Sequence, residues 1–358
     1  MTKMSRYSST DLADYFIKNS STFFNDRQSD NLDEKHRKII DSAYELIKAK
    51  EAFSEKNFRN WSGQTDLPTP VQLNRANLKA EGLLKLPVFY VLKKLLRYKS
   101  ESMKHSSLMD DFSLVCEQTG LNFIKDNPVS NTPGVSNSFR YKGCDINFRW
   151  LRYLYLSNRI LQFSGLDDDF TWIDVGTYYG GLQGLVKKYR PKSRIIMVDF
   201  NHQLCRSFIY LSKLFPDANH IMPDAIHEDF TEVKIPSGSF VYVPVECYGK
   251  LEYLTADLFS NFFSFGEMPT DVLCGYLRSS PYKNAKLLYL VNRVVSSPTF
   301  EHVYDNNTNV LDYCLKRENI DYFDLFPVHN YNVFERKLFG RRAPRNNSSN
   351  YFEVVLKN

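Results

Sequence analysis

The stretch TWIDVGTYYGG, Thr171 to Gly181, decides the fold class of this chain. Its first five residues form an apolar run with the length of a buried strand, and the glycines that follow suit a sharp turn into a helix. A second apolar run, RIIMVDF (Arg194 to Phe200), follows after helical sequence and carries an acid, Asp199, near its end. Buried strands joined through helices, with polar residues at their carboxyl ends, are typical of an α/β sheet with a ligand at that edge.

Five further apolar runs predict strands, at Phe240–Val245, Leu258–Phe263, Lys286–Asn292, Tyr322–Val328 and Tyr351–Lys357. The segment His220 to Asp224 is expected to be a loop, because the short irregular stretch after it leaves no room for a crossover helix. Seven strands, of which the last is short and near the C-terminus, favour a class I methyltransferase sheet: Rossmann-like, seven-stranded and mostly parallel, with helices on both faces. The dehydrogenase version of the fold would have six parallel strands and usually a second domain.

The sequence before this sheet is mainly helical, which predicts a substrate or lid region over residues 1–146 and a methyltransferase domain over residues 147–358. Ser8 can cap a first helix, and residues 126–144 are rich in Asn, Pro, Ser and Gly, which indicates a loop or hairpin. The predicted helices are Ile39–Ile47, Val71–Glu81, Pro87–Tyr98, Ser107–Gln118, Phe148–Phe163 and Gln203–Phe215.

Composition excludes several classes of protein. Hydrophobic residues make up 43% and charged residues 24%, which excludes disordered, collagen-like and coiled-coil chains. None of the six cysteines forms a C-x-x-C pair, and the N-terminus lacks the apolar core of a signal peptide. The most apolar stretch, Leu83 to Leu96, is too short and too charged to span a bilayer. We therefore expect a cytoplasmic protein with reduced thiols.

The net charge of +5 is concentrated in one segment. Glu335 to Arg345, ERKLFGRRAPR, carries five basic residues against one acid, and the other residues together are close to neutral. A nucleic-acid-binding protein usually spreads basic residues over a broader face, so no nucleic-acid partner is predicted. The segment suits a phosphate-bearing partner or a membrane surface, with a solvated loop as the alternative.

The glycine turn points to S-adenosylmethionine as the cofactor. Asp174 suits a cationic ammonium group, and the amide N–H groups of the turn suit a carboxylate. Tyr178 occupies the middle glycine of a G-x-G-x-x-G pattern, which argues against NAD. Asp199 is placed to accept hydrogen bonds from ribose hydroxyls, and Phe200 to cover an adenine ring.

The chain resembles the sugar O-methyltransferase family found with bacterial surface-polysaccharide genes. The resemblance covers about Phe148 to Val294, and Tyr178 departs from it where such enzymes often have glycine. It is carried by LRYLYLSNRI, DVGTYYGGL, FVYVPVE, DLFSNFFSFGEMP with Tyr276 downstream, and LYLVNR. It implies methyl transfer to a sugar hydroxyl of a surface glycan of the lipopolysaccharide or O-antigen type, or of its precursor. The sugar would be acidic or phosphate-bearing, and the partners glycan-assembly enzymes or the inner-membrane surface.

Two candidates for the general base follow the predicted strands. Glu267 comes after the fourth strand and is either the base or an acid at a helix N-terminus, and His329 is either the base or a structural histidine. Only Glu267 is offered where a metal-dependent enzyme needs several oxygen ligands, so no metal is predicted. The cluster His220, Asp224, His227 and Glu228 is expected to be a solvated loop.

The remaining candidates are contacts to cofactor and substrate. The expected cofactor contacts are Arg152, Asp174, Gly176, Thr177, Tyr178, Gly180, Asp199, Phe200 and Glu246. The expected substrate contacts are Asn292, Arg293 and Tyr276. Arg293 has a buried ion pair as its alternative role, and Arg152 has helix packing.

These features together favour an S-adenosylmethionine-dependent O-methyltransferase that acts on a sugar. Two alternatives stay open. One is a protein that keeps the fold but has lost catalysis and only binds. The other is an RNA methyltransferase, which only the arginine-rich segment favours.

Overall fold

A computed structural model describes most of the C-terminal two thirds of the chain and parts of the N-terminal third. The described residues are 7–20, 58–59, 108–109, 111–135, 138–227, 229–294, 308–313, 315, 317–328, 334–336, 342–344 and 351–357. The helices predicted at Ile39–Ile47, Val71–Glu81 and Pro87–Tyr98 lie outside these residues.

Seven of the twelve strands in the described residues coincide with the apolar runs of the sequence. They are β1 (Phe139–Tyr141), β2 (Cys144–Ile146), β3 (Thr171–Val175), β4 (Arg194–Asp199), β5 (His220–Ile221), β6 (Phe240–Pro244), β7 (Leu258–Phe262), β8 (Leu287–Arg293), β9 (Ile320–Leu325), β10 (Phe334–Arg336), β11 (Arg342–Pro344) and β12 (Tyr351–Lys357). Eight of them form one sheet in the order β5-β6-β4-β3-β7-β8-β12-β9.

The strand order confirms the predicted fold class. β3, β4, β5, β6, β7 and β8 run parallel, and β12 enters antiparallel between β8 and β9. The order of the seven predicted strands, with the last one antiparallel and inserted beside the fifth, is that of a class I methyltransferase sheet.

The prediction of a loop at His220 to Asp224 is wrong for its first two residues, which form β5. His220 pairs with Phe240 and Ile221 with Val241, parallel to β6. A parallel pair needs a long crossover but not a helical one, and residues 222–239 supply it with short 3₁₀ turns. The sheet therefore has one strand more than the seven expected.

Helices cover both faces of the sheet. They are α1 (Ser9–Lys18), α2 (Leu121–Asp126), α3 (Phe148–Gln162), α4 (Gly181–Tyr189), α5 (Asn201–Leu214), α6 (Thr270–Arg278) and α7 (Ser280–Lys283), and residues 111–119 are also helical. Ser8 caps α1 as expected, in a capping box with Asp11. Asn147 caps α3, where its side chain accepts a hydrogen bond from the N–H of Trp150 at 2.7 Å.

Two hydrophobic cores lie on opposite faces of the sheet. Neighbouring strand residues alternate between them, with Trp172 in the core under α1, α3, α4 and α5 and Ile173 in the core under α6 and α7. This burial on both faces explains why the sheet strands are continuous apolar runs.

Two hairpins lie outside the sheet. β1 lies near the end of the segment 126–144 that was expected to be a loop or hairpin, and its partner β2 extends two residues beyond that segment. β10 and β11 pair within the basic segment, with Arg336 opposite Arg342, where the sequence had indicated a loop.

A buried carboxylate joins β12 to helix α3. Glu353 has no exposed surface, and its two oxygens accept hydrogen bonds from the hydroxyls of Tyr155 at 2.9 Å and Tyr289 at 2.7 Å. Arg159 lies 3.4 Å from the same carboxylate and completes an ion pair. The late strand is thereby tied to the helix that precedes β3.

Replacing Glu353 with Ala should lower the free energy of unfolding by about 3 kcal/mol, because two buried hydroxyls lose their acceptor and the partly buried Arg159 cation loses its ion pair. Lys357→Ala on the same strand is the control, since the ion pair of Lys357 with Asp321 is exposed and worth at most about 1 kcal/mol. Urea unfolding measures both. Equal losses in the two variants would contradict a special role for the buried carboxylate.

Candidate functional site

The turn between β3 and α4 lies at the carboxyl edge of the sheet. Gly176 and Gly180 both have φ of +83°, in the left-handed region that favours glycine. A Cβ at Gly176 would also overlap the hydroxyl group of Ser264, which follows β7. The glycines found in the sequence thus have a structural reason, which is a tight turn packed closely against the next strand.

Tyr178 sits in the same turn with φ of +57°, a conformation that costs a non-glycine residue free energy. Its backbone is held on both sides: its N–H donates to Asp199 at 2.8 Å, and its carbonyl accepts from the hydroxyl of Ser207 at 2.8 Å. Two guanidinium groups contact its ring, that of Arg149 at 4.1 Å and that of Arg206 at 4.6 Å from the ring centroid. These contacts let a tyrosine keep the backbone shape that glycine usually provides.

Asp199 ties the end of β4 to this turn. One carboxylate oxygen accepts from Tyr178, and the other accepts from the N–H of Phe200 at 2.8 Å. Burial raises the pKa of Asp199 to about 6, against the opposing effects of these hydrogen bonds and of the Arg206 charge. The half-buried ring of Phe200 stacks on His202 with 5.9 Å between centroids. An acid and an aromatic ring thus lie together at this edge.

Two further polar side chains at this edge are buried, and some of their polar atoms lack a hydrogen-bond partner among the described residues. Thr177 is 4% exposed and Asn201 is 1% exposed. The hydroxyl of Thr177 and both polar atoms of the Asn201 amide have no hydrogen-bond partner among the residues that the structure describes. Such groups cost about 1–3 kcal/mol each unless a ligand or water satisfies them. The edge therefore fits a polar, nucleoside-bearing cofactor such as S-adenosylmethionine. Asn201 is not among the predicted contacts, although it directly follows Asp199 and Phe200 in the sequence.

Asp174 lies inside the protein rather than at the crevice, in contrast to the predicted contact with an ammonium group. It is 1% exposed and accepts hydrogen bonds from the amide of Gln183 and the hydroxyl of Ser260. Ser260 in turn accepts from the indole N–H of Trp172 at 2.7 Å. Asp174 therefore stabilises the glycine turn between β3 and α4 from inside the core. Burial raises its pKa to about 8, although both hydrogen bonds oppose the shift.

This pKa makes stability depend on pH with a definite sign. Below the unfolded-state value of 3.8, both states hold the proton; as pH rises toward about 8, only the unfolded state releases it. The free energy of unfolding should therefore fall across this window, by up to about 1.4 kcal/mol per pH unit. Asp174→Asn keeps both hydrogen bonds if Gln183 turns its amide, and should flatten the pH profile. Urea unfolding at several pH values measures this, and parallel profiles for the two proteins would disprove the role.

A second set of polar side chains lies at the carboxyl ends of β7 and β8. Glu267 belongs to a 3₁₀ turn, Phe265–Glu267, and ion-pairs with Arg293 at 2.8 Å. The expected position at the head of α6 is wrong, because Pro269 separates the turn from that helix, which begins at Thr270. Arg293 thus forms an ion pair, although its acid is only partly buried, and its Nε donates to the Tyr351 hydroxyl at 3.2 Å. The Glu267 side chain is 38% exposed, so it remains open to a ligand.

Asn292 and Tyr276, two expected substrate contacts, are buried instead. The amide of Asn292 accepts from the N–H of Gly266 and donates to the carbonyl of Asn261, both at 3.4 Å, and so supports the Glu267 turn. Tyr276 packs in the core under α6, with its ring 4.6 Å from that of Tyr248.

Glu246, an expected cofactor contact, is the second residue of the 3₁₀ helix Val245–Leu251, which directly follows β6. Glu246 is exposed, and partial desolvation by its neighbours raises the pKa of its carboxyl group. Burial also raises the pKa of Tyr276, and the negative charges of Asp199 and Glu246 add to that effect. Glu246 and Asp199 are therefore within electrostatic reach of one tyrosine, on the β6 and β4 side of the edge.

On α3, the arginine whose guanidinium lies over the Tyr178 ring of the glycine turn is Arg149, three residues before the predicted Arg152. Both lie on α3, but the guanidinium of Arg152 is 5.0 Å from the ring of Phe263 and its Nε donates to the carbonyl of Val328 at 3.2 Å. Residues three apart on a helix are almost one turn apart, so the helical pattern alone does not decide which of the two arginines faces the glycine turn. His329, the second candidate base, lies outside the described residues.

The described residues contain no group of three His, Cys, Asp or Glu side chains that could hold a metal ion. His220 is a strand residue whose Nδ1 lies 2.8 Å from the Tyr242 hydroxyl. That the reaction needs no metal stays a prediction.

None of the described helices combines the length and the apolar composition that crossing a lipid bilayer requires.

No family model matches this chain, and no curated protein matches it. Solved structures do match. The pyocyanin biosynthetic protein PhzM is 14% identical, with 59% of this chain and 58% of that chain covered and a TM-score of 0.31. A coclaurine N-methyltransferase bound to N-methylheliamine and SAH is 13% identical, with 63% and 64% covered and a TM-score of 0.34. The mitomycin 7-O-methyltransferase MmcR is 9% identical, with 74% and 72% covered and a TM-score of 0.33.

The chain spans less than two thirds of the length of the first two of these proteins. Identities this low concern the fold alone, and the fold assignment rests on the strand order. By that order, the chain has the class I methyltransferase fold.

Proposed function

We propose that this chain is an S-adenosylmethionine-dependent methyltransferase. The observation that carries the proposal is the tie between Tyr178 and Asp199 at the point where the strand order reverses. The chain adds β4 and β6 on one side of β3 and then β7 and β8 on the other. Ligands of open α/β sheets bind at such a reversal, outside the carboxyl ends of the strands.

The residues at this edge suit the cofactor in charge and hydrogen bonding. Asp199 would accept hydrogen bonds from the ribose hydroxyls, and the half-buried ring of Phe200 would lie against the adenine. The buried polar atoms of Thr177 and Asn201 would gain partners. When bound, the cofactor supplies an electrophilic methyl group.

The acceptor group in this proposal is a hydroxyl. Glu267 would take the hydroxyl proton at a carboxylate oxygen, within hydrogen-bond reach of the acceptor. Arg293 would keep that carboxylate oriented through the 2.8 Å ion pair. Positioning of the acceptor supplies much of the remaining rate.

A sugar is the proposed acceptor class. The polar pair Glu267 and Arg293 adjoins two aromatic rings, Phe263 and Tyr351, whose centroids are 5.2 Å apart. Hydrogen-bonding groups beside ring faces suit a carbohydrate, which presents hydroxyls at its rim and C–H groups on its faces. The motif SFGEM, which carries the sequence resemblance to sugar O-methyltransferases, includes Glu267 itself.

The basic hairpin β10–β11 supports a phosphate-bearing or acidic form of this sugar, on a glycan or its precursor. Arg336 and Arg342 are opposite each other in the hairpin register. The sequence segment that overlaps this hairpin, Glu335 to Arg345, carries five basic residues against one acid, and such a charge attracts phosphate groups, including those at a membrane surface where glycans are assembled.

Two measurements test the proposal in sequence. Isothermal titration with S-adenosylmethionine and with S-adenosylhomocysteine should show saturable binding of both. Transfer of labelled methyl from S-adenosylmethionine should then reach an extracted surface glycan and not RNA.

Each of the other possible results would assign a different function to this chain. Binding without transfer to either acceptor would identify a binding protein that has lost catalysis, and transfer to RNA would identify an RNA methyltransferase. If the folded protein binds neither compound, the cofactor proposal is wrong.

A further inference from the structure

A cavity of about 490 Å³ lies on the face of the sheet covered by α6 and α7. Its walls come from these two helices, from the start of β8, from the end of β12 and from the 3₁₀ helix Val310–Tyr313. None of the candidate cofactor or acceptor contacts lines it. Its volume lies within the range of about 300–1,000 Å³ that is typical of small-molecule sites.

The cavity has an apolar wall and a polar group without a partner. Leu277, Leu288, Leu315 and Leu356 line it. Tyr313 also lines it and is 1% exposed, and its hydroxyl has no hydrogen-bond partner among the residues that the structure describes. A buried hydroxyl in this state costs about 1–3 kcal/mol, which a ligand with a polar atom would recover.

The charge around the cavity is positive. Arg278 and Lys283 line it against one acid, Asp312. The carboxylate of Asp312 accepts a hydrogen bond from the backbone N–H of Asn309 at 2.7 Å, within its own turn. Arg278 is exposed and forms no ion pair or hydrogen bond with any described residue. An anionic ligand group would therefore meet an available guanidinium at the rim.

We propose that this cavity binds a small amphipathic anion. The apolar body of the ligand lies against the leucines, its carboxylate, sulfonate or phosphate lies at Arg278, and the Tyr313 hydroxyl donates to a polar atom of the ligand. The site is independent of the proposed methyl transfer, because its ligand contacts and those of the cofactor share no residue.

Two fluorescent probes of the same shape and different charge test the proposal. 1-Anilinonaphthalene-8-sulfonate is an amphipathic anion, and N-phenyl-1-naphthylamine is the same ring system without the sulfonate. Arg278→Gln should weaken binding of the anionic probe about three- to tenfold and leave binding of the neutral probe unchanged. Lys286→Gln is the matched control, since Lys286 is an exposed cation that pairs with Asp257 outside the cavity.

A second variant tests the location. Cys274 lines the cavity from α6, and Cys274→Trp should fill it and weaken both probes by tenfold or more. Thermal melting followed by circular dichroism verifies that each variant is folded. The proposal is overturned if the folded Cys274→Trp protein binds both probes as before, or if Arg278→Gln and Lys286→Gln change affinity for the anionic probe equally.

Discussion

Glu267→Gln is expected to reduce turnover by about 10²–10⁴-fold while affinity for S-adenosylmethionine stays the same. The size of the loss is that of general-base assistance, and the glutamine keeps an oxygen that accepts from Arg293 but cannot take a proton. Steady-state kinetics with the labelled cofactor measures the rate, and titration calorimetry measures the affinity. The rate of the variant should also rise with pH, because hydroxide can replace the missing base.

Two further variants complete this experiment. Glu252→Gln is the control, since the Glu252 carboxylate accepts a hydrogen bond from the N–H of Ser280 at 2.9 Å. This contact involves neither the glycine turn nor the Glu267–Arg293 ion pair. His329→Gln tests the rival base. If Glu267→Gln keeps nearly normal turnover and His329→Gln loses it, His329 is the base and Glu267 only holds Arg293. If neither variant changes the rate, alignment alone drives transfer and both assignments fail.

Asp199→Asn should raise the Kd for S-adenosylmethionine by about 10- to 100-fold. The carboxylate accepts from two backbone N–H groups, of Tyr178 and Phe200, and an asparagine amide can accept from only one of them. The variant therefore loses a charge-assisted hydrogen bond, worth about 1.5–3 kcal/mol, and loosens the turn that holds Tyr178 in its left-handed conformation. Titration calorimetry measures the change in affinity.

Asp257→Asn provides the comparison for this measurement. Asp257 also accepts from a backbone N–H, that of Thr171 at 2.7 Å, but it lies at the opposite, amino edge of the sheet. Its replacement should leave cofactor affinity unaltered. Unchanged affinity in a folded Asp199→Asn protein would place the cofactor elsewhere.

Six of the seven predicted strands were predictable because burial on both faces makes them continuous apolar runs, whereas β9 is largely exposed. All seven predicted strands are present, with bounds that differ by at most a few residues. β5 was missed because two residues carry no periodicity, and its pairing depends on the position of Phe240 and Val241 in the neighbouring strand. The insertion of β12 between β8 and β9 depends on long-range packing, which an apolar run does not encode.

The candidate site was predictable where chemistry follows directly from a strand end. Asp199 and the glycine turn are of this kind. Asp174 was misplaced because side chains alternate along a strand: it shares a face with Trp172 and so points into the core under α4. Arg149 and Asn201 were missed because their importance comes from contacts with Tyr178 and from burial without partners.

The position of β12 has a consequence for how the chain can fold as it is synthesised. Among the strands that the structure describes, β9 is hydrogen-bonded only to β12, so it lacks its neighbour until residues 351–357 have left the ribosome. β3 and β4 can pair far earlier, because one helix connects them. The nascent chain must therefore carry β8 as a temporary open edge and β9 as an unpaired segment until the final strand fills the gap between them. During that interval, β8 is the part of the sheet most able to pair with a second nascent chain.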